Sequence, residues 1–268
     1  MTDRLRALVT RKCAELDIPL TGFAPAGRWD GTLFEPRVPE AFRPRSIFPE
    51  TKTVIVIGLP VSLPVLESAP SIWYLEHYRT INSLLDQAAY RIAALLTAEG
   101  SPSVPLPRDG YGSVSILKEC PVAFFSHRHA AFFAGLGNFG NNNMLLTPAY
   151  GPRVRFTSIL TAAEIVPDPI MEEALCTRCG RCADACPVHA LDGGEYPASL
   201  TDKKACATRS EALARRYIAP CGLCIRACPV GEDRSRFGRD DPAIYDEGNA
   251  SSAPLRRAWE HVRSYGGR

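Results

Sequence analysis

Hydrophobic and polar positions recur at two different periods along this chain. Over residues 1–16, Leu5, Leu8, Val9 and Cys13 return at three- and four-residue steps, which predicts an amphipathic helix with these four on one stripe. "TVIVIG" (53–58) is apolar and β-branched on both faces, so it reads as a buried strand; the run then breaks into a loop at the prolines of "LPVSLPVL". The helical period returns between Ser71 and Gly100, with Ser71 placed to cap the N-terminus and Gly100 to stop the helix. "SPSVPLP" reads as extended and "RDGYGS" as a turn. "HRHAAFFAGLG" reads as a short helix ending in glycines, and "VRFTSILTAAEI" as another strand. Before the first of these strands lies a Pro- and Arg-rich connection, "FEPRVPEAFRPRSIFPE".

The periodic pattern stops at "PDPIMEE", and cysteines take over immediately afterwards. This places a domain boundary near Val166–Pro169. The expected organisation is an α/β domain over 1–167, a cysteine-bearing domain over 168–235, and a C-terminal extension over 236–268. The extension reads as a polar loop followed by a terminal helix, "LRRAWEHVRSYGGR".

Charge narrows the function classes. With 31 basic and 29 acidic residues the chain carries a net charge of +2, which gives no nucleic-acid footprint. The first nineteen residues are charged throughout, so they read as neither a secretion signal nor a membrane span. Ten cysteines without such a signal point to a reducing compartment, expected to be the cytoplasm, and to thiolate–metal chemistry instead of disulfides.

Eight of those cysteines form a pattern. Cys176, Cys179, Cys182 and Cys186-Pro187 match C-x2-C-x2-C-x3-C-P, the bacterial ferredoxin run, whose fourth cysteine ligates the other cluster. Cys221, Cys224 and Cys228-Pro229 give a second run that lacks one upstream member, and Cys206 is the available replacement. Closely spaced cysteines wrap three corners of a cubane and a distant one closes the fourth. The first [4Fe–4S] cluster is therefore assigned Cys176, Cys179, Cys182 and Cys228, and the second Cys186, Cys206, Cys221 and Cys224. Zinc, the alternative for C-x2-C pairs, explains neither three evenly spaced cysteines nor two C-P endings. Cys13 and Cys120 are left over and are expected to pack as buried residues.

The segment "FFSHRHAAFFAGLGNFGNNNMLLTPAYGPRVRF" (124–156) contains G-x-G-x-x-G at Gly135, Gly137 and Gly140. A dinucleotide fingerprint needs a preceding strand and an acidic residue about twenty positions on; here a helix precedes, and no acidic residue appears before Glu164. The glycines read better as sites where backbone approaches a large flat ligand, or as a tight turn. The asparagines from Asn141 on supply amide groups suited to a cofactor, or solvate a loop.

This segment, together with the double cysteine run and the opening "LDIPLTGFAPA", resembles the epoxyqueuosine reductase family and its shorter relatives, which are related in turn to the reductive dehalogenases. The resemblance spans roughly residues 50–235. It implies an α+β architecture in which a nitroreductase-like α/β cofactor domain precedes a bacterial-ferredoxin-like domain with two [4Fe–4S] clusters. It also implies a cobalamin held between them, contacted by Gly135, Gly137, Gly140, Asn141 and Tyr150. Electrons from a low-potential ferredoxin- or flavodoxin-type donor pass through both clusters to the corrinoid, which reduces an organic substrate.

The sequence departs from that pattern in places. The family's acid lies in a D-x-A-P-V-like stretch; the matching region here is "LKECPVAFFSHRH", with Glu119 nearest to the acid. Glu119, His127 and Tyr111 are the candidate catalytic proton donors. Arg108, Arg153 and Arg155 are candidates to bind acidic groups of cofactor or substrate. The repeat domain of the tRNA-acting members has no counterpart, so a small molecule is expected as substrate in preference to tRNA. The leading expectation is a corrinoid-dependent reductase; the alternatives are a protein that reduces a corrinoid without substrate turnover of its own, and a plain dicluster ferredoxin.

Overall fold

A computed structural model describes residues 2–31, 33–34, 38–120, 122–245 and 248–266; part of the Pro- and Arg-rich connection lies outside them. The first layer starts with helix α1 (Thr2–Glu15) and strand β1 (Leu20–Pro25). A one-turn helix α2 (Pro44–Ile47) leads into β2 (Thr53–Pro60), α3 (Leu63–Glu67) and the long α4 (Ile72–Ala98). Ser71 caps α4 as its sequence predicts, its hydroxyl accepting from the Tyr74 N–H at 3.1 Å. Strand β3 (Ser103–Pro105), short helices α5 (Ile116–Glu119) and α6 (His127–Phe133), the two-residue strands β4 (Asn138–Phe139) and β5 (Leu145–Leu146), and β6 (Val154–Thr161) complete this part.

The four longer strands make one antiparallel sheet in the order β1-β2-β6-β3, with Phe23 opposite Ile55 and Ile55 opposite Ile159. Alternation along β2 explains why "TVIVIG" has no polar face. Ile55 and Ile57 join the core formed with α1 and α4, while Val54 and Val56 join the other core, with Trp29, Phe133 and Phe156. Helices thus cover both faces of the sheet, and each residue of "TVIVIG" is buried whichever way it points.

The cysteine-bearing part carries little regular structure. Its helices are α7 (Arg181–Asp184), α8 (Lys203–Ala214) and α9 (Leu223–Ala227). The polar stretch after the second cysteine run departs from the expected loop: it begins with α10 (Asp233–Arg236), where Asp233 and Arg234 are buried, while the C-terminal extension ends in the expected terminal helix, α11 (Ala253–Gly266). It is anchored to α3 by Arg239 and Tyr245, which donate to the buried Glu67 carboxylate at 2.7 and 2.8 Å. Among the described residues no helix is long and apolar enough to cross a membrane.

Candidate iron–sulfur centres and the polar cluster beside them

The two cysteine runs share a local design. "CGRCADACPV" (179–188) and "CGLCIRACPV" (221–230) differ at only a few positions, and each puts a glycine between two cysteines at the start of a short helix. Gly180 and Gly222 are left-handed, with φ of +75° and +72°, a conformation that costs an L side chain about 1–2 kcal/mol. That turn lets flanking cysteines point to the same side of the loop.

The structure brings the eight cysteines together in two sets. Cys176, Cys179, Cys182 and Cys228 line one small cavity, together with Asn141 and Leu146. Around the other set, the Cys224 thiol is pushed up to about 12 by burial and then by Cys206, Cys221, Cys182 and Cys186. Burial also raises Cys206, reinforced by Cys221 and Cys186. Cys182 neighbours both Cys176 and Cys224, so the two sets adjoin. Among the described residues, no three His, Cys, Asp or Glu side chains converge as ligands of a single ion. Neighbouring thiols that oppose one another's ionisation suit a cationic iron core, which would stabilise all four thiolates at once.

The glycine-rich segment fastens the two parts of the chain together. A Cβ on Gly135 would stand 2.0 Å from the Pro169 carbonyl oxygen, and one on Gly137 would stand 1.8 Å from that of Leu146. At Gly140 it would meet the Leu146 side chain at 2.9 Å. The space these glycines leave is therefore filled by the protein's own chain, which corrects the reading of close approach to a flat ligand. The asparagines continue the seam. Asn138 donates to the Glu173 carbonyl and accepts from the Leu175 N–H at 3.0 Å. Asn141 donates to the Gly193 carbonyl, and its Oδ1 lies 3.5 Å from the Cys176 sulfur. Asn143 accepts from the Thr201 N–H at 2.6 Å. All three amides engage the cysteine-bearing part, which the sequence alone did not indicate.

The candidate proton donors differ in their surroundings. Glu119 is exposed at the end of α5. His127 is buried between Ser158 and the Pro107 carbonyl, each 2.9 Å from a ring nitrogen. A carbonyl only accepts, so Nε2 carries the hydrogen and Nδ1 accepts from the Ser158 hydroxyl. Burial depresses the pKa of His127 to about 4. His129 is held in the same way between Ser126 and Tyr196, at 2.6 and 2.7 Å, and is depressed to about 3 by burial and then by Arg128 and Lys203. Both histidines are neutral fixtures of the core.

Tyr111 lies in a different setting. Burial, and then Tyr78 and Asp109, push its pKa up to about 12. Arg155 donates to Asp109 at 2.8 Å and to Asn82 at 3.1 Å, and its guanidinium stands 4.6 Å over the Tyr78 ring. Arg128, missed by sequence reasoning, connects this polar cluster to the second cysteine set: its charge acts on Tyr111, Arg155 and Cys206. Tyr150 is half-buried against the core of α6. Arg153 binds an acidic group of the protein itself, Asp233, through two contacts of 2.7 and 2.6 Å. Of the two leftover cysteines, Cys13 is buried in the core of α1, whereas Cys120 is exposed, against expectation, because α5 lies on the surface.

Known proteins resemble this chain in sequence and in fold. Residues 169–192 match the family model of the 4Fe-4S binding domain. The chain is 26% identical over 217 residues to a tetrachloroethene reductive dehalogenase of Dehalobacter restrictus, covering 73% of this chain and 37% of that one. It is 27% identical over 231 residues to an epoxyqueuosine reductase of Gloeobacter violaceus, covering 81% and 66%. The chain thus spans about a third of the length of the reductive dehalogenases it matches. In fold it is similar to a catabolic reductive dehalogenase solved with 3-bromo-4-hydroxybenzoic acid, with a TM-score of 0.66 at 17% identity, covering 95% of this chain and 36% of that one. It is also similar to the epoxyqueuosine reductase of Streptococcus thermophilus, with a TM-score of 0.55 at 19% identity, covering 89% and 69%. The 4Fe-4S motif on a mixed α/β fold marks the chain as an iron–sulfur protein that is similar in sequence and in fold to epoxyqueuosine reductases and to reductive dehalogenases.

Proposed function

We propose that this chain is a cobalamin-dependent reductase that takes electrons from a low-potential ferredoxin- or flavodoxin-type donor, passes them through two [4Fe–4S] clusters, and reduces a small organic molecule. The observation that carries this reading is the gathering of eight cysteines into two adjoining sets of four. Cys176, Cys179, Cys182 and Cys228 hold the first cluster, and Cys186, Cys206, Cys221 and Cys224 the second. The sheet with α4 and α6 serves as the nitroreductase-like cofactor domain. The near-neutral charge supports a small substrate over tRNA.

The residues present fit a corrinoid in part. The flat approach expected from the glycines is absent, because their space is filled from within the chain. The polar cluster of Tyr78, Tyr111, Arg128 and Arg155 beside the second cysteine set does offer what a corrinoid's amide and phosphate groups bind. A structural neighbour at 17% identity is a reductive dehalogenase linked to B12-dependent dehalogenation, which adds support from resemblance. When bound, the corrinoid would supply the strongly reducing centre that amino-acid side chains lack. The chain's own part is to orient the cofactor with Arg128 and Arg155 and to keep a proton on the Tyr111 hydroxyl throughout the neutral range.

Adding cobalamin to the anaerobically purified protein tests this: it is expected to co-elute with cobalamin and to change its visible spectrum. A protein with full clusters and no affinity for any corrinoid would leave only the dicluster electron carrier. One observation favours a second reading. Glu119 is exposed and His127 has both nitrogens occupied, so Tyr111 alone remains of three donors. This favours a protein that reduces a corrinoid for another enzyme, and absence of any small-molecule turnover by a cobalamin-loaded, reducible protein would establish it.

A further inference from the structure

The backbone carbonyl of Cys228 accepts from two buried guanidiniums, Arg153 Nη1 at 3.2 Å and Arg234 Nε at 2.8 Å. The two arginines are 0% and 1% exposed. Arg153 is neutralised on the spot by its two contacts with Asp233. Arg234 is not. Its remaining donors go to the Arg226 carbonyl at 2.5 Å, the Arg239 carbonyl at 3.4 Å and the Tyr245 hydroxyl at 3.2 Å. The nearby Glu67 carboxylate is paired with Arg239 at 2.7 Å. Among the described residues, Arg234 therefore contacts no carboxylate.

A buried cation without a counter-charge is costly, by several kcal/mol, unless something negative lies close by. The chain places that anion next door if Cys228 is a cluster ligand. A [4Fe–4S] cluster held by four thiolates carries a net charge of about −2 when oxidised, and one electron from a low-potential donor takes it to about −3. A fixed positive charge nearby stabilises the more negative state and so raises the reduction potential. The Cys228 carbonyl, polarised by two guanidiniums, also draws electron density from the ligand's backbone.

We propose that Arg234 is a potential-setting residue, which raises the reduction potential of the cluster held by Cys228 and leaves the other cluster lower. The proposal rests on the ligation given above. It assigns to the tail of the chain, through Arg234 and its partner Tyr245, a part in electron transfer.

The test is an EPR-monitored redox titration of the anaerobic holoprotein, with iron and sulfide measured on every sample. Cys228→Ala checks the ligation separately: if both clusters stay intact, the ligand assignment fails and the proposal goes with it. The cluster lost in Cys206→Ala identifies the other midpoint. In Arg234→Gln with full iron, the Cys228 cluster is expected to titrate lower. Its reduced-to-oxidised ratio at the wild-type midpoint should fall about tenfold, or about 59 mV for one electron. Arg234→Lys should recover part of the shift. Asp233→Asn should move the same midpoint the opposite way, because it unmasks the charge of Arg153; loosening alone would not give opposite signs. If Arg234→Gln fails to fold, Asp233→Asn decides. Unchanged midpoints, shifts of the same sign, or a shift confined to the other cluster would each overturn the proposal.

Discussion

Asn143 offers the sharpest test of the seam between the sheet and the cysteine-bearing part. Its Oδ1 accepts from both the Thr201 N–H and hydroxyl, at 2.6 and 3.1 Å, while its Nδ2 donates to the Ser199 carbonyl at 3.3 Å. Its backbone is left-handed, with φ of +56°. Asn143→Ala removes these bonds, at about 1–3 kcal/mol, and forces a Cβ-bearing aliphatic residue to hold a left-handed conformation, at about 1 kcal/mol more. The sum, about 2–4 kcal/mol, raises the population of the opened seam by roughly 30- to 1000-fold. Asn143→Gly keeps the backbone content while losing the same bonds, so its effect should be about fivefold to tenfold smaller than that of alanine. The assay is anaerobic release of iron to a chelator, followed by loss of the iron–sulfur absorbance. Release from Asn143→Ala at the wild-type rate would refute the seam, and equal rates in the two variants would refute the backbone contribution.

The remaining predictions concern acid–base chemistry. The folded pKa values of His127 and His129, about 4 and about 3, lie below the unfolded value near 6.5. Their neutral forms therefore contribute stability that is fully present above about pH 6.5 and is lost as pH falls from there toward 4. His127→Asn should flatten the pH dependence of unfolding across that window; an unchanged slope would exclude this histidine from it. Glu119→Gln, on an exposed helix end, should alter turnover by less than about twofold. Tyr111→Phe should lower turnover about a hundredfold with cluster content intact, and full activity in that variant would remove the Tyr111 proton from the mechanism.

The sequence made the elements with strong period and the cysteine spacing legible, because both depend on neighbours within a few positions. The stripe of Leu5, Val9 and Cys13, the Ser71 cap and the doubly buried "TVIVIG" all stand where their patterns predict. What the sequence could not convey is which partner a residue meets across the fold. Gly135 and Gly137 do permit close approach, but to Pro169 and Leu146. The asparagines do use their amides, on the cysteine-bearing loops instead of a cofactor. Arg234 sits in "DRSRFGRDD", a run whose composition reads as solvated loop, yet it is buried among the Cys228, Arg226 and Arg239 carbonyls and Tyr245. Glu119 shows the same limit from the other side, since one position in a motif does not reveal on which side of a surface helix it lies.

Iron and acid-labile sulfide content of the anaerobically prepared protein, measured for the wild type and for Cys206→Ala, bears most directly on the central claim of two clusters in two sets of cysteines. The account predicts about eight irons and eight sulfides per chain in the wild type. It predicts about half of each in Cys206→Ala, with the EPR signal of the Cys176, Cys179, Cys182 and Cys228 cluster retained. Stoichiometric zinc with little sulfide in the wild type, or a full complement of both clusters in Cys206→Ala, would contradict it.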